Sequence, residues 1–195
     1  MLINYKTLFV HIPRTGGRFV VANLNKNHNV NHIDYVDFKK KIKDKNIPHL
    51  NRLEYRDFLH YIDIETFTIV RDPVDRFLSM LKCYNRINES KIKKMFESQL
   101  AFNETVDNLI IKDTGNWFLP QIHFIDLNTK IWKYEKGLKE DFQHWVLKNF
   151  NLYIDITRKI DHNYDDEIFF QIDINDKQKQ FIKNYYYQDY KILEY

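Results

Sequence analysis

An apolar run, Thr7-Leu8-Phe9-Val10-His11-Ile12, leads directly into Pro13-Arg14-Thr15-Gly16-Gly17-Arg18 and then Phe19-Val20-Val21. The run reads as a buried strand from Thr7 to Ile12: β-branched and aromatic residues dominate it, and Pro13 cannot donate to a ladder. Two adjacent glycines, out of only four in the chain, permit backbone geometries closed to other residues. A helix over residues 17–25 is expected next, with Phe19, Val20 and Leu24 turned inward. Free N–H groups at the start of such a helix bind anions, and Arg14 and Arg18 add positive charge. The turn is therefore expected to cradle a phosphate. It is not a Walker A loop, because no Gly-Lys-Ser/Thr ending follows, which disfavours a Mg-nucleotide triphosphatase.

A second unit repeats this logic. Thr66-Phe67-Thr68-Ile69-Val70 reads as a strand, Arg71-Asp72-Pro73 cuts it off, and Pro73 suits the first turn of a helix capped by Asp72 and continuing through Val74, Phe77, Leu78 and Leu81. Two apolar strands, each feeding a helix, point to an α/β fold with a parallel sheet covered by helices.

The remaining pattern is weaker. Short strands are expected at 32–38, 122–125 and 130–134, and helices at 51–60, 90–102, 105–111 and 138–150. Trp117 to Gln121 reads as an ordered aromatic loop. Asn175 and Gln178 stand at capping-box spacing ahead of a last helix, whose apolar side is Phe181, Ile182, Tyr185 and Tyr186. No repeat or linker interrupts the chain, so residues 1–195 are expected to form one domain.

Composition limits the function. Apolar content of 44% with 13 Tyr and 15 Phe excludes global disorder, and a net charge of +3 gives no reason to expect a nucleic-acid partner. The lone Cys83 excludes an intrachain disulfide and a cysteine metal cluster; it is expected to be a buried thiol, and no metal site is expected elsewhere. No apolar run approaches the roughly 18 residues needed to span a bilayer, and a core strand begins within a few residues of Met1, so a soluble, cytoplasmic chain is expected.

Together, His11-Ile12-Pro13-Arg14-Thr15-Gly16-Gly17 and Phe67-Thr68-Ile69-Val70-Arg71-Asp72-Pro73-Val74-Asp75-Arg76-Phe77-Leu78-Ser79 resemble the two nucleotide-binding signatures of sulfotransferases that use 3′-phosphoadenosine 5′-phosphosulfate (PAPS). The likeness is greatest to the carbohydrate sulfotransferases of the heparan and chondroitin type and their bacterial relatives. Trp117-Phe118-Leu119-Pro120-Gln121, Tyr134-Glu135 with Leu138, and Tyr186-x-x-Asp189-Tyr190 with Tyr195 resemble further segments of such enzymes.

The resemblance implies a P-loop-NTPase-like three-layer sandwich, transfer of a sulfuryl group from PAPS to a hydroxyl, and release of adenosine 3′,5′-bisphosphate (PAP). A carbohydrate is the implied acceptor. It implies that Arg14, Thr15, Gly16, Gly17 and Arg18 hold the 5′-phosphosulfate, with Arg14 the cation over the leaving oxygen. Arg71 and Ser79 then hold the 3′-phosphate. Family members often carry lysine at the position of Arg14 and a hydroxyl residue at that of Arg18.

The acceptor hydroxyl needs a general base, and histidine is poised for that role near neutral pH. The family places one, or a glutamate, between the two signatures, which here offers His28, His32, His49 and His60; His49 fits the spacing best, ahead of His60, His32 and a carboxylate such as Asp34 or Glu54. Trp117, Gln121 and His123 are the expected acceptor-pocket residues. Arg76 is expected to be a surface or structural residue, and Glu135 a structural carboxylate. The competing readings are a non-catalytic module that binds a nucleotide or sulfated ligand, and a P-loop-type nucleotide kinase.

Overall fold

Alternate residues along two adjacent buried strands join cores on opposite faces of one sheet. Phe9, Phe67 and Ile69 point to one side, while Leu8, Val10 and Val70 point to the other. Such two-sided burial is what a parallel sheet between helices requires. The computed structural model describes residues 1–4, 6–24, 30–31, 52–53, 64–113, 115–157 and 172–195.

The sheet has the order β3-β1-β2-β4-β5, with β1 at Leu2–Ile3, β2 at Thr7–Val10, β3 at Val30–Asn31, β4 at Glu65–Val70 and β5 at Lys130–Lys133. Strands β2, β4 and β5 run parallel, in the registers Phe9↔Phe67↔Lys130 and Val10↔Thr68↔Ile131. Strand β1 pairs antiparallel with β2 and β3 and extends the sheet past its parallel centre. The buried Thr68 hydroxyl donates to the Val10 carbonyl at 2.7 Å, adding a side-chain link between the two central strands.

Helix α1, Gly17–Leu24, and helix α4, Glu140–Phe150, cover the Phe9 and Phe67 face. Val20, Leu24, Phe142, Val146 and Phe150 pack there beside Trp132 of β5. Phe124 and Leu193 cover the opposite face. Helices α2, Pro73–Met95, α3, Gln99–Ile111, and α5, Asp176–Tyr185, build a further core around Phe77, Phe102 and Ile182. The chain ends in α6, Tyr187–Leu193. The architecture is α/β, with a parallel sheet core and helices, compatible with a three-layer sandwich. No described helix is long and apolar enough to cross a membrane.

Several sequence expectations change. The segment expected as a strand at 122–125 is a 3-10 helix, Gln121–Phe124, because the Asp189 carboxylate accepts the N–H groups of Gln121 and Ile122 at 2.8 and 3.0 Å. Those donors are lost to any ladder. A helix expected to begin near residue 90 is the last part of α2, which stops at Met95; Ser98 then caps α3 by accepting from Ala101 N–H at 3.0 Å. The Cys83 thiol is half-buried. The strand expected at 32–38 lies outside the described residues, as does the helix expected at 51–60 except for Arg52 and Leu53, which are helical.

Candidate functional site

Parallel strands deliver their carboxyl ends to one edge, and in open α/β sheets that edge is where ligands bind. Here the three ends belong to β2, β4 and β5, which continue into the 11–17 turn, Arg71 and Tyr134. The expected cradle lies on the first of these.

Within that turn Gly16 has φ +93°, and Arg14 has φ 65°, a left-handed conformation that is costly for a residue with a Cβ. The glycine is needed for its dihedral angle, and a Cβ there would also have to displace the Leu138 side-chain end, 2.7 Å away, and crowd Tyr134 Cε2 at 3.2 Å. Gly17 opens α1 directly against the His11 ring, which occupies the space a Cβ would need. Thr15 is fully buried, and its hydroxyl donates to the Ile12 carbonyl at 3.0 Å. That proton is held inside the turn, so any donor Thr15 offers an anion is its backbone N–H. Arg18 is exposed on the first turn of α1.

The structure brings Arg14 and Ser79 together. Arg14 Nε donates to Ser79 Oγ at 3.0 Å, joining the first turn to α2 across 65 positions of sequence. Arg71, at the end of β4, sets its guanidinium 4.8 Å from the centre of the Tyr134 ring, the same ring that borders Gly16. Tyr134 thus touches both signature segments at the end of β5. Cation–π contact of this kind holds a guanidinium in place without using its donors.

A ring of carboxylates and tyrosines holds the rim. Glu135 Oε1 accepts from Asp72 N–H at 2.7 Å, and its Oε2 accepts from the Tyr195 hydroxyl at 3.0 Å, in keeping with the structural role expected for Glu135. Asp72 caps α2 by accepting from Asp75 N–H at 3.0 Å, and also accepts from the Tyr190 hydroxyl at 3.2 Å. Burial, reinforced by the neighbouring carboxylates, pushes the Tyr190 and Tyr195 phenols well above their ordinary value. Among the described residues no group of three His, Cys, Asp or Glu side chains could hold a metal ion.

The three expected acceptor residues differ in burial. Gln121 is fully buried: its Oε1 accepts from Arg71 N–H at 2.9 Å and its Nε2 donates to Arg71 O at 2.8 Å. Both ends of its amide are engaged with the backbone of a site residue. His123 is exposed, and Trp117 is half-buried against the α2–α3–α5 core. His49, the expected base, lies outside the described residues, as do His28, His32, Asp34, Glu54 and His60. Arg76 is a structural residue rather than a surface one, with no exposed area. Tyr134 was not singled out as a site residue from sequence; its place one residue beyond β5 is the signal that could have found it.

Comparisons with protein families, with curated proteins and with solved structures return no match for this chain.

Proposed function

We propose that this chain is a sulfotransferase of P-loop-NTPase-like fold, which moves a sulfuryl group from PAPS to a hydroxyl acceptor, a carbohydrate by class. The contact between Arg14 and Ser79 carries the reading: two segments expected separately to bind phosphate meet at 3.0 Å on the edge where strands end. A turn with Gly16 at φ +93° and cations on both segments fits a nucleotide bearing phosphate at each end. PAPS, when bound, supplies the activated sulfuryl group.

The chain's own groups have distinct tasks. Backbone N–H groups of the 15–18 turn bind the 5′ anion, and Arg14 neutralises charge gathering on the leaving oxygen. A guanidinium stays protonated, so Arg14 acts by charge and not by giving up a proton. Arg71 presents a fork suited to a terminal phosphate, and Ser79 Oγ, which accepts from Arg14 Nε, is assigned to the same anion. His49 is assigned as the base that takes the acceptor proton, and His123 and Trp117 as groups facing the acceptor.

A non-catalytic binding module is the second reading. The commitment of the Thr15 hydroxyl to Ile12 O favours it, since a side-chain donor is withdrawn from the cradle. A nucleotide kinase shares the fold logic but would want the Walker lysine that this turn lacks.

Calorimetry separates these readings. PAP is expected to bind without Mg, and Arg71→Ala to weaken it about 10–100-fold, the worth of charge-assisted hydrogen bonds. Preference for ATP with Mg sinks the proposal. Labelled sulfate transfer from PAPS to a panel of glycans and alcohols then distinguishes enzyme from module; His49→Ala is expected to slow it by about 10²–10⁴-fold.

A further inference from the structure

We propose that Arg76 and Gln121 are positioning residues that set the separation between the 13–18 turn and Arg71, and so make the site select a nucleotide phosphorylated at both ends over a singly phosphorylated one. This inference rests on the function proposed above.

A fully buried guanidinium is costly unless its donors are met. Arg76 Nε donates to Pro13 O at 3.0 Å, and Nη2 donates to Trp117 O at 2.8 Å and Leu119 O at 3.0 Å. Burial pushes its pKa below the ordinary value, opposed by the nearby Asp189 and Asp113 carboxylates. All three acceptors are backbone carbonyls, so this charge fixes the path of the chain at three points. The remaining Nη1 is buried without a partner, a cost accepted to hold those points together.

Gln121 continues the connection. It lies two residues beyond Leu119, and its side-chain amide exchanges two hydrogen bonds with the backbone of Arg71, as a neighbouring strand would. Its own N–H is fixed by Asp189 of α6. A continuous hydrogen-bonded path, buried at Arg76 and Gln121, therefore runs from Pro13 through Arg76 and the 117–119 backbone to Gln121 and Arg71.

The ladder cannot do this work. Pairing of β2 with β4 ends at Val10↔Thr68, before either backbone reaches its phosphate-binding residues. Beyond that point the two segments share the apolar packing of Ile12 with Val70, and polar contact between them includes the Arg14–Ser79 bond, the Tyr134 ring and this path. Holding two binding groups at a fixed spacing raises the affinity for a ligand that spans both and leaves single-group ligands little changed.

The test compares PAP with adenosine 5′-monophosphate by calorimetry on wild type, Arg76→Lys and Gln121→Met, with thermal melts alongside. Each folded variant is expected to keep monophosphate affinity within about twofold while PAP affinity falls about tenfold or more. If Arg76→Lys does not fold, Gln121→Met carries the comparison. Proportional loss of both ligands marks a merely structural role and overturns the proposal, as does an unchanged PAP preference in the variants. A wild type that binds PAP no better than the monophosphate overturns the functional reading along with it.

Discussion

A Cβ built at Gly17 would fall within the imidazole of His11, a ring that already stacks on Phe9 with centroids 6.0 Å apart. The collision involves a half-buried ring backed by a fully buried one, so neither can yield without disturbing the sheet face. Gly17→Ala is expected to destabilise the fold by about 1–3 kcal/mol, the usual cost of overpacking. Adding His11→Ala should recover part of that loss in denaturant unfolding; a double variant no better than the sum of its parts would show that the His11 ring is not the obstacle. Single residues of this kind were only partly legible in the sequence. The paired glycines announced their turn because few other residues fit there, whereas Arg76 and Gln121 carry side chains that normally stay wet. Their burial depends on carbonyls up to 63 positions away, which no local pattern reveals.

Elements were legible where their determinants are local. The last helices illustrate this: Asn175 Oδ1 accepts from Gln178 N–H at 3.0 Å while Gln178 Oε1 accepts from Asn175 N–H at 3.0 Å, the reciprocal box that the spacing predicts. Since Ile182 of this helix packs with Phe77 and Phe102, fraying its start loosens the core it shares with α2 and α3. Asn175→Ala is expected to cost about 1 kcal/mol and lower Tm by about 2–4 °C, with Asn175→Asp close to wild type. Equal melting of the two variants would remove the cap from the account. The 121–124 segment shows the opposite case. Ile122, His123, Phe124 and Ile125 have strand-like composition, yet Asp189, 68 positions from Gln121, takes the N–H groups a ladder would use. Likewise β1, with two residues, is too short for any periodicity and is set by its pairing with β2.

At the scale of the molecule, tyrosines tie the carboxyl-terminal helices to the site. Tyr186 is buried and donates to Phe118 O at 2.8 Å, beneath the Arg76 guanidinium at 5.9 Å; Tyr190 and Tyr195 reach Asp72 and Glu135. Burial raises all three phenols above their ordinary value, and each hydroxyl serves as a donor that ionisation would abolish. The direction of the pH effect follows. A group whose folded pKa lies above its unfolded one contributes stability that is complete below the unfolded value, about pH 10 for tyrosine, and is lost as pH rises toward the folded value. Unfolding free energy is therefore expected to hold level up to about pH 9 and then fall, Tyr186 alone accounting for at most about 1.4 kcal/mol per pH unit. Denaturant titrations from about pH 8 to 11 measure the slope, and phenolate absorbance shows whether ionisation waits for unfolding. Tyr186→Phe lowers stability near neutrality by losing the bond to Phe118 O but should flatten the alkaline fall by about one proton's worth. A slope the same as wild type in that variant would mean that Tyr186 ionises in the folded chain as freely as in the unfolded one, and would break the link drawn here between the buried phenol, the Arg76 guanidinium and the turn that Arg76 holds.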